Sequence, residues 1–204
     1  MKKWLMMALV LAAATAQAKQ DSSQYCLVCH GSNAASNPTV KGPNLTILPA
    51  WYIKEQLLGF QKGWRSGGKG DIHGHEMLSV AKIMKPKQIE DAIAFIGKQP
   101  TKSAPVKLLK ADISHGKSLY QSCAGCHGAS GEGMAAVKAP PLAGQSDWYI
   151  LKQLQAYKSG ERGTASGDQN GAIMRQSAMM LGSDKDMQDV SAFIASLPAQ
   201  KPKG

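Results

Sequence analysis

Cys26-Leu27-Val28-Cys29-His30 and Cys123-Ala124-Gly125-Cys126-His127 hold all four cysteines of the chain, and each pair is followed at once by a histidine. This is the attachment signature of a c-type haem. The spacing follows from the chemistry: two thiols three residues apart each add to a vinyl group of one macrocycle, and the next imidazole reaches the iron as proximal ligand. Cysteine pairs have other uses. A thioredoxin-like redox pair expects a strand-rich surround and gives no role to the fifth-place histidine. A four-cysteine zinc site normally separates its pairs by about 15 to 20 residues, whereas Cys29 and Cys123 are 94 apart. A disulfide within Cys-x-x-Cys closes too small a loop to stabilise much. The expectation is two covalently attached haem c groups, bound through Cys26, Cys29, Cys123 and Cys126, with His30 and His127 on the irons.

Outward from these motifs runs an internal repeat with an offset of 97 residues. Pro43 and Leu45 match Pro140 and Leu142; Trp51-Tyr52-Ile53 matches Trp148-Tyr149-Ile150; Gln56-Leu57 matches Gln153-Leu154. Gly63 and Arg65 match Gly160 and Arg162, and Gly70-Asp71, Gly74 and Met77 match Gly167-Asp168, Gly171 and Met174. One extra residue near Gly182 shifts the offset to 98, aligning Asp91, Ala94-Phe95-Ile96 and Pro100 with Asp189, Ala192-Phe193-Ile194 and Pro198. The chain is a tandem duplication. Each copy is small for a core standing alone, and a buried macrocycle supplies apolar surface to pack against, so the haem-free chain is expected to fold poorly.

The periodicity predicts helices and loops with little strand. Residues 147–159 read as a helix with Ile150, Leu154 and Tyr157 on one face and Gly160 as the stop; residues 50–62 repeat it. Residues 184–197 read as a second helix, with Ser183 and Asp186 as a capping box and Pro198 beyond the end; Pro86 to Gly97 is its counterpart. Lys98 to Lys110 has two prolines and no period, and reads as a linker.

A histidine-bound iron needs a second axial group or an open position. Core filling is the commoner role of methionine, and it is the role expected of Met84, Met179, Met180 and Met187. Met77 and Met174 stand apart because each lies 47 residues beyond its haem histidine, after a glycine-containing segment. They are the nominated sixth ligands. His73 and His75 are rivals without histidine partners in the repeat, where Asn170 and Ala172 stand, and they are expected at the surface, as is His115. Pro43 and Pro140 are placed to present a carbonyl to the far nitrogen of each haem histidine. Trp51, Trp148, Arg65 and Arg162 are candidates for holding haem propionates.

Lys2-Lys3, the apolar run from Trp4 to Ala14 and Ala16-Gln17-Ala18 have the form of a secretory signal peptide cleaved after Ala18. The run falls short of the roughly 20 residues that span a bilayer. Loss of Lys2 and Lys3 takes the formal charge from +10 to +8. Export argues against nucleic acid, so the excess charge points to an acidic redox partner or to loose association with an anionic membrane surface.

With both haem motifs, the repeated Trp-Tyr-Ile-x-x-Gln-Leu helices, the Gly-x-Arg segments and the Met-x-x-x-Ala segments in place, the mature chain resembles the dihaem cytochrome c4 family. The resemblance implies an all-α protein of two tandem class I cytochrome c domains, each enclosing one covalently bound haem. The expected boundaries are 1–18 for the signal peptide, 19–104 for the first domain and 105–204 for the second. It implies His30 with Met77 and His127 with Met174 at the irons, and periplasmic electron transfer in a respiratory chain toward a terminal oxidase, with a membrane-bound oxidase among the expected partners and no catalysis on a substrate. The rival is a haem oxidoreductase or its electron-transfer subunit, of the peroxidase or thiosulfate-oxidising type. A peroxidase needs a releasable sixth site, whereas both sites here have an equivalent methionine. A cysteine-ligated sulfur-oxidising haem needs a thiol beyond those used in attachment.

The copies differ in one respect. The second has a leading helix, from Asp112 through Gly116, Leu119 and Tyr120, in which small Gly116 lets the first and last helices cross closely. In the first copy Lys19 stands where the glycine is wanted, and Ser22 and Ser23 replace Leu119 and Tyr120. The first haem is therefore expected to be less covered and to differ in potential.

Overall fold

In the computed structural model, residues 22–65, 71–104 and 110–202 are described. The signal peptide, the start of the first domain at residue 19 and the boundary at 104/105 fall wholly or partly outside them. Eight α-helices are present among the described residues: α1 (Cys26–His30), α2 (Ala50–Gln61), α3 (Ile72–Ile83), α4 (Pro86–Gly97), α5 (Ile113–His127), α6 (Asp147–Ser159), α7 (Gln169–Met179) and α8 (Asp184–Ser196). The strand content among the described residues is one short antiparallel pair, β1 (Ala35–Asn37) with β2 (Gly42–Asn44), in which Ala35 faces Asn44 and Asn37 faces Gly42. The fold is mostly helical, as the resemblance implied.

The helix ends follow from their residues. Gly160 adopts φ 82°, a left-handed conformation open to glycine, and ends α6 at the expected place. Ser183 caps α8 by accepting from the Asp186 amide at 3.1 Å, while the Asp186 carboxylate accepts from the Ser183 amide at 3.0 Å. Two helices the periodicity had not marked, α3 and α7, begin on the repeated aspartates. Asp71 accepts from the Gly74 amide at 3.1 Å and Asp168 from the Gly171 amide at 2.9 Å. The shared Asp-x-x-Gly-x-x-Met pattern is thus a capped helix start, and Met77 and Met174 each stand sixth in their helix.

Each half has its own apolar core. Ile53, Leu57, Phe60, Ala81, Ile89 and Ile96 form the first, from α2, α3 and α4. Tyr120, Ile150, Leu154, Tyr157, Met187, Val190, Phe193 and Ile194 contribute to the second, from α5, α6 and α8. Met187 fills core as expected, and Met84 packs against the first core. Met179 and Met180 do not: they are 54% and 65% exposed at the end of α7.

The predicted inequality of the leading segments is present. In the second half α5 crosses α8 at Gly116, where a Cβ would stand 2.1 Å from the Asp189 carbonyl oxygen. In the first half, the described residues before α1 form only a short 3-10 turn, Ser22–Tyr25. The last helices record the difference: α8 buries eight residues, including Phe193, whereas α4 buries three.

The segment after α4 is more than a tether. Ala104 is buried and donates its amide to the Gly144 carbonyl at 2.9 Å, and the Lys102 carbonyl accepts from Asn44 Nδ2 at 2.7 Å. These bonds involve backbone groups, which hydrophobic periodicity does not reveal.

Candidate haem sites and the seam between the halves

Both haem histidines are buried and held alike. His30 Nδ1 lies 2.9 Å from the Pro43 carbonyl oxygen and His127 Nδ1 lies 2.8 Å from that of Pro140. A carbonyl only accepts, so Nδ1 carries the proton and Nε2 presents its lone pair. Burial lowers both imidazole pKa values, and the proline carbonyls oppose this only in part. A neutral imidazole with a fixed tautomer is the form that binds iron. None of the four cysteines is in a disulfide; Cys29 and Cys126 are exposed and Cys26 and Cys123 partly so.

Met77 packs partly buried against the first core and Met174 against the second. Ala81 and Ala178, four residues on, are fully enclosed, which explains the small residue in the shared Met-x-x-x-Ala pattern. His73 instead pairs with Glu76 at 3.1 Å, and His75 bonds the Asp71 carbonyl at 2.9 Å. His115 is largely exposed, yet its Nδ1 lies 3.0 Å from Oδ2 of the buried Asp189, a pairing the sequence reading did not foresee. That aspartate also accepts from the Asp112 amide at 2.7 Å and from Lys185. Burial pushes its pKa up, but Lys185, His115 and the amide outweigh burial and bring it down to about 2.

The second face of α2 and α6 forms a seam between the halves. Ile53, Leu57, Ile150 and Leu154 point into the cores, leaving Tyr52, Gln56, Tyr149 and Gln153 on other faces. Arg65 donates to Gln56 Oε1 at 3.0 Å within its own half, and across the seam to Gln153 Oε1 at 3.2 Å and the Tyr149 hydroxyl at 3.3 Å. Arg162 mirrors it, donating to Gln153 Oε1 and, across the seam, to Gln56 Oε1 at 3.3 Å. Each guanidinium also lies over a ring of its own half, Arg65 over Phe60 at 4.2 Å and Arg162 over Tyr157 at 4.4 Å. The reciprocity continues at the rim. Lys41 lies 5.3 Å from the Trp148 ring and its repeat counterpart Lys138 lies 5.1 Å from that of Trp51.

This seam tests whether the residues fit a haem. Neither arginine makes an ion pair among the described residues; Asp71 and Asp168 act on Arg65 and Arg162 from farther off. Trp51 Nε1, Arg65 Nε and Arg162 Nε are buried without hydrogen-bond partners. Buried cations and orphaned donors are costly unless an acceptor is supplied. Carboxylates carried by a cofactor supply one, and haem carries two propionates. Burial raises the Tyr149 pKa, but the two arginines outweigh it and the net direction is down. The donors of the seam are thus arranged for anions, and the residues present fit haem.

Cysteine pairs with fixed imidazoles in a helical frame define a c-type cytochrome, an electron-transfer protein with covalently bound haem c. The comparisons carry the assignment further. The Cytochrome c family profile matches residues 113–198. The chain is 32% identical over 188 residues to the thiosulfate dehydrogenase electron acceptor of Stutzerimonas stutzeri, covering 90% of this chain and 83% of that protein. It is 29% identical to cytochrome c4 of Azotobacter vinelandii, covering 91% and 90%. Cytochrome c4 from Pseudomonas stutzeri superposes with a TM-score of 0.66 at 27% identity, over 85% of this chain and 93% of that one. The thiosulfate dehydrogenase TsdBA of Marichromatium purpuratum gives 0.70 at 27% identity, but this chain, 85% of which is covered, spans only 36% of it. The chain belongs to the cytochrome c4 family.

Proposed function

We propose that this chain is an exported, periplasmic electron carrier with two covalent haems and no substrate chemistry of its own. Cys26 and Cys29 hold one haem in a first domain, 19–104, and Cys123 and Cys126 hold the other in a second, 105–204. His30 with Met77 and His127 with Met174 complete the two irons. The observation that carries this reading is the pair of matched anchors, His30 on the Pro43 carbonyl and His127 on the Pro140 carbonyl, in one repeated frame.

Bound there, haem would supply a one-electron Fe(III)/Fe(II) couple, and a thioether ligand from Met77 or Met174 would favour the reduced state. The protein's part is to hold each imidazole neutral and oriented, to present Met77 and Met174 from capped helices, and to meet propionate charge with Arg65 and Arg162. Electrons are passed toward a terminal oxidase of a respiratory chain, a reading supported by the 30% identity to the cbb3-type oxidase subunit FixPc of Rhizobium leguminosarum. A thiosulfate dehydrogenase is the second reading for the donor, supported by the relatives named as its electron acceptors. No helix among the described residues is long and apolar enough to cross a membrane.

The test is the ferric absorption and electron paramagnetic resonance spectrum of the haem-loaded protein, with its haem-to-protein ratio. Two low-spin His/Met centres per chain are expected, and Met77→Ala and Met174→Ala should each convert one centre. A high-spin or bis-histidine centre in the unaltered protein overturns the ligand assignment.

A further inference from the structure

The corner where the methionine helix turns into the last helix is built on the same plan in both halves, but its charge differs. On α3, Ile72, Val80 and Ile83 are exposed, Ile83 to 80%. With Glu76 they follow one another at four, four and three residues, which sets them along one outward stripe opposite buried Ala81. Helical spacing puts Val80 at the edge of this stripe nearest Met77. Ile173 on α7 and Met180 just beyond its end, seven residues apart, are exposed in the same manner, 60% and 65%. Each corner thus presents exposed apolar side chains beside one another.

Between Glu76 and Glu90 the first half carries Lys82, Lys85 and Lys87 and no acid. All three lysines are exposed. Lys87 pairs with Asp91, while Lys82 and Lys85 enter no ion pair among the described residues. In the second half Met179 replaces Lys82, and Ser183-Asp184-Lys185-Asp186 replaces Lys85-Pro86-Lys87-Gln88. Over the matching stretch, from Ile173 to Gln188, the second half carries Arg175 and Lys185 with Asp184 and Asp186, so three cations and no acid stand opposite two cations and two acids on otherwise equivalent apolar corners.

We propose that the α3–α4 corner of the first half is the docking face for an acid-rimmed redox protein, with Val80 and Ile83 in contact and Lys82, Lys85 and Lys87 facing the partner's carboxylates. The corresponding corner of the second half does not take that partner. Opposite charge around a small apolar centre speeds and orients encounter without requiring a tight complex. The inference rests on the electron-carrier reading. The step it serves is the transfer of one electron: a reduced partner centre is oxidised by one electron as a ferric haem on this chain becomes ferrous, with no bond made and no proton moved.

The test uses the full haem-loaded protein and, as probe, the reduced soluble domain of cytochrome b5, a one-electron donor with carboxylates around its haem edge. Stopped-flow rates are measured at low and high salt for the unaltered protein, for Lys82→Glu/Lys85→Glu, and for Lys117→Glu/Lys201→Glu, which makes the same change in net charge on exposed residues of the second half. At low salt the corner variant should react about tenfold more slowly than the unaltered protein and the control less than about twofold more slowly, the gap closing at high salt. Equal slowing of both variants, no slowing of either, or an unaltered protein that reacts no faster at low salt overturns the docking face. These outcomes leave the carrier reading standing as long as the variants keep two low-spin haem spectra. Loss of those spectra in the unaltered protein would defeat the carrier reading itself.

Discussion

The side-chain amide of Gln145 closes a two-bond ring with the backbone of Asn44: Asn44 N donates to Gln145 Oε1 at 2.9 Å, and Gln145 Nε2 donates to the Asn44 carbonyl at 2.9 Å. The glutamine acts as a strand neighbour would, pairing the edge of β2 with a residue 101 positions away. The Asn44 side chain adds a bond to the Gly144 carbonyl at 2.9 Å, and Ser36 and Ser146 hydroxyls meet at 2.8 Å nearby. The halves are therefore joined by buried, directional bonds beside the arginine seam.

Gln145→Leu should separate this joint. It leaves a buried amide and a buried carbonyl on Asn44 without partners, a loss of about 3 kcal/mol. Equilibrium denaturation of the haem-loaded variant, compared with the unaltered protein, measures it. A second transition, reporting each half unfolding by itself, is expected in the variant.

The arginine seam makes an electrochemical prediction. Arg162 is 7% exposed and carries its charge beside Arg65's partners Gln56 and Gln153. A buried positive charge disfavours the ferric state, the more positive of the two, so Arg162→Met should lower at least one midpoint potential by about 50 mV. Spectroelectrochemical titration reads this directly, and an unchanged pair of potentials would separate the seam from the haems.

The proposed haem anchors, with the proline carbonyls that hold their histidines, were legible in the sequence because attachment chemistry fixes residue types at fixed spacings. The two Cys-x-x-Cys-His motifs and the 97-residue register led to the histidines, the proline carbonyls and the methionine positions. The α6 helix was legible from its period and its glycine stop. α3 and α7 were not, since their apolar residues are spread around the helix and the capping aspartates were seen only as repeat matches. Their outward apolar residues also account for the misplacement of Met179 and Met180 in the core. The Asn44–Gln145 joint was not legible either. Leu48 and Pro141 occupy the corresponding positions in the opposite copies, so the repeat gives no signal there.

Asp189 gives a pH dependence. Its pKa in the folded protein is depressed to about 2, against about 3.9 for a free aspartate. A depressed carboxylate contributes stability above its unfolded value and loses it as pH falls toward the folded one, here from about pH 5 to about pH 2. Asp189→Asn removes the charge from the bonds to Lys185 and His115, and should destabilise the protein at neutral pH by about 2 kcal/mol. Denaturation at several pH values should show the variant losing less stability than the unaltered protein over that acid window.

The crossing at Gly116 should tolerate no side chain. In Gly116→Ala the new Cβ meets the Asp189 carbonyl oxygen at 2.1 Å and its carbon at 2.5 Å, both backbone atoms that cannot swing aside. The helices α5 and α8 must part, at about 3 kcal/mol. Thermal unfolding followed at the haem band reads the loss, and Ser118→Ala, on the exposed side of α5, serves as the comparison with little expected change.

The unequal leading segments should make the two haems unequal. In the second half α5 packs along α8, Tyr120 is 1% exposed, and its hydroxyl donates to the Gly128 carbonyl at 2.7 Å. The described residues of the first half provide only the short turn before α1, and α4 keeps Phe95 partly open. Water nearer an iron stabilises the more highly charged ferric form and lowers the potential. Redox titration should therefore resolve two one-electron steps, the lower belonging to the first haem. Met77→His identifies it, because an imidazole in place of the thioether lowers that potential further. The lower step should move down while the upper stays, and movement of the upper step alone would reverse the assignment.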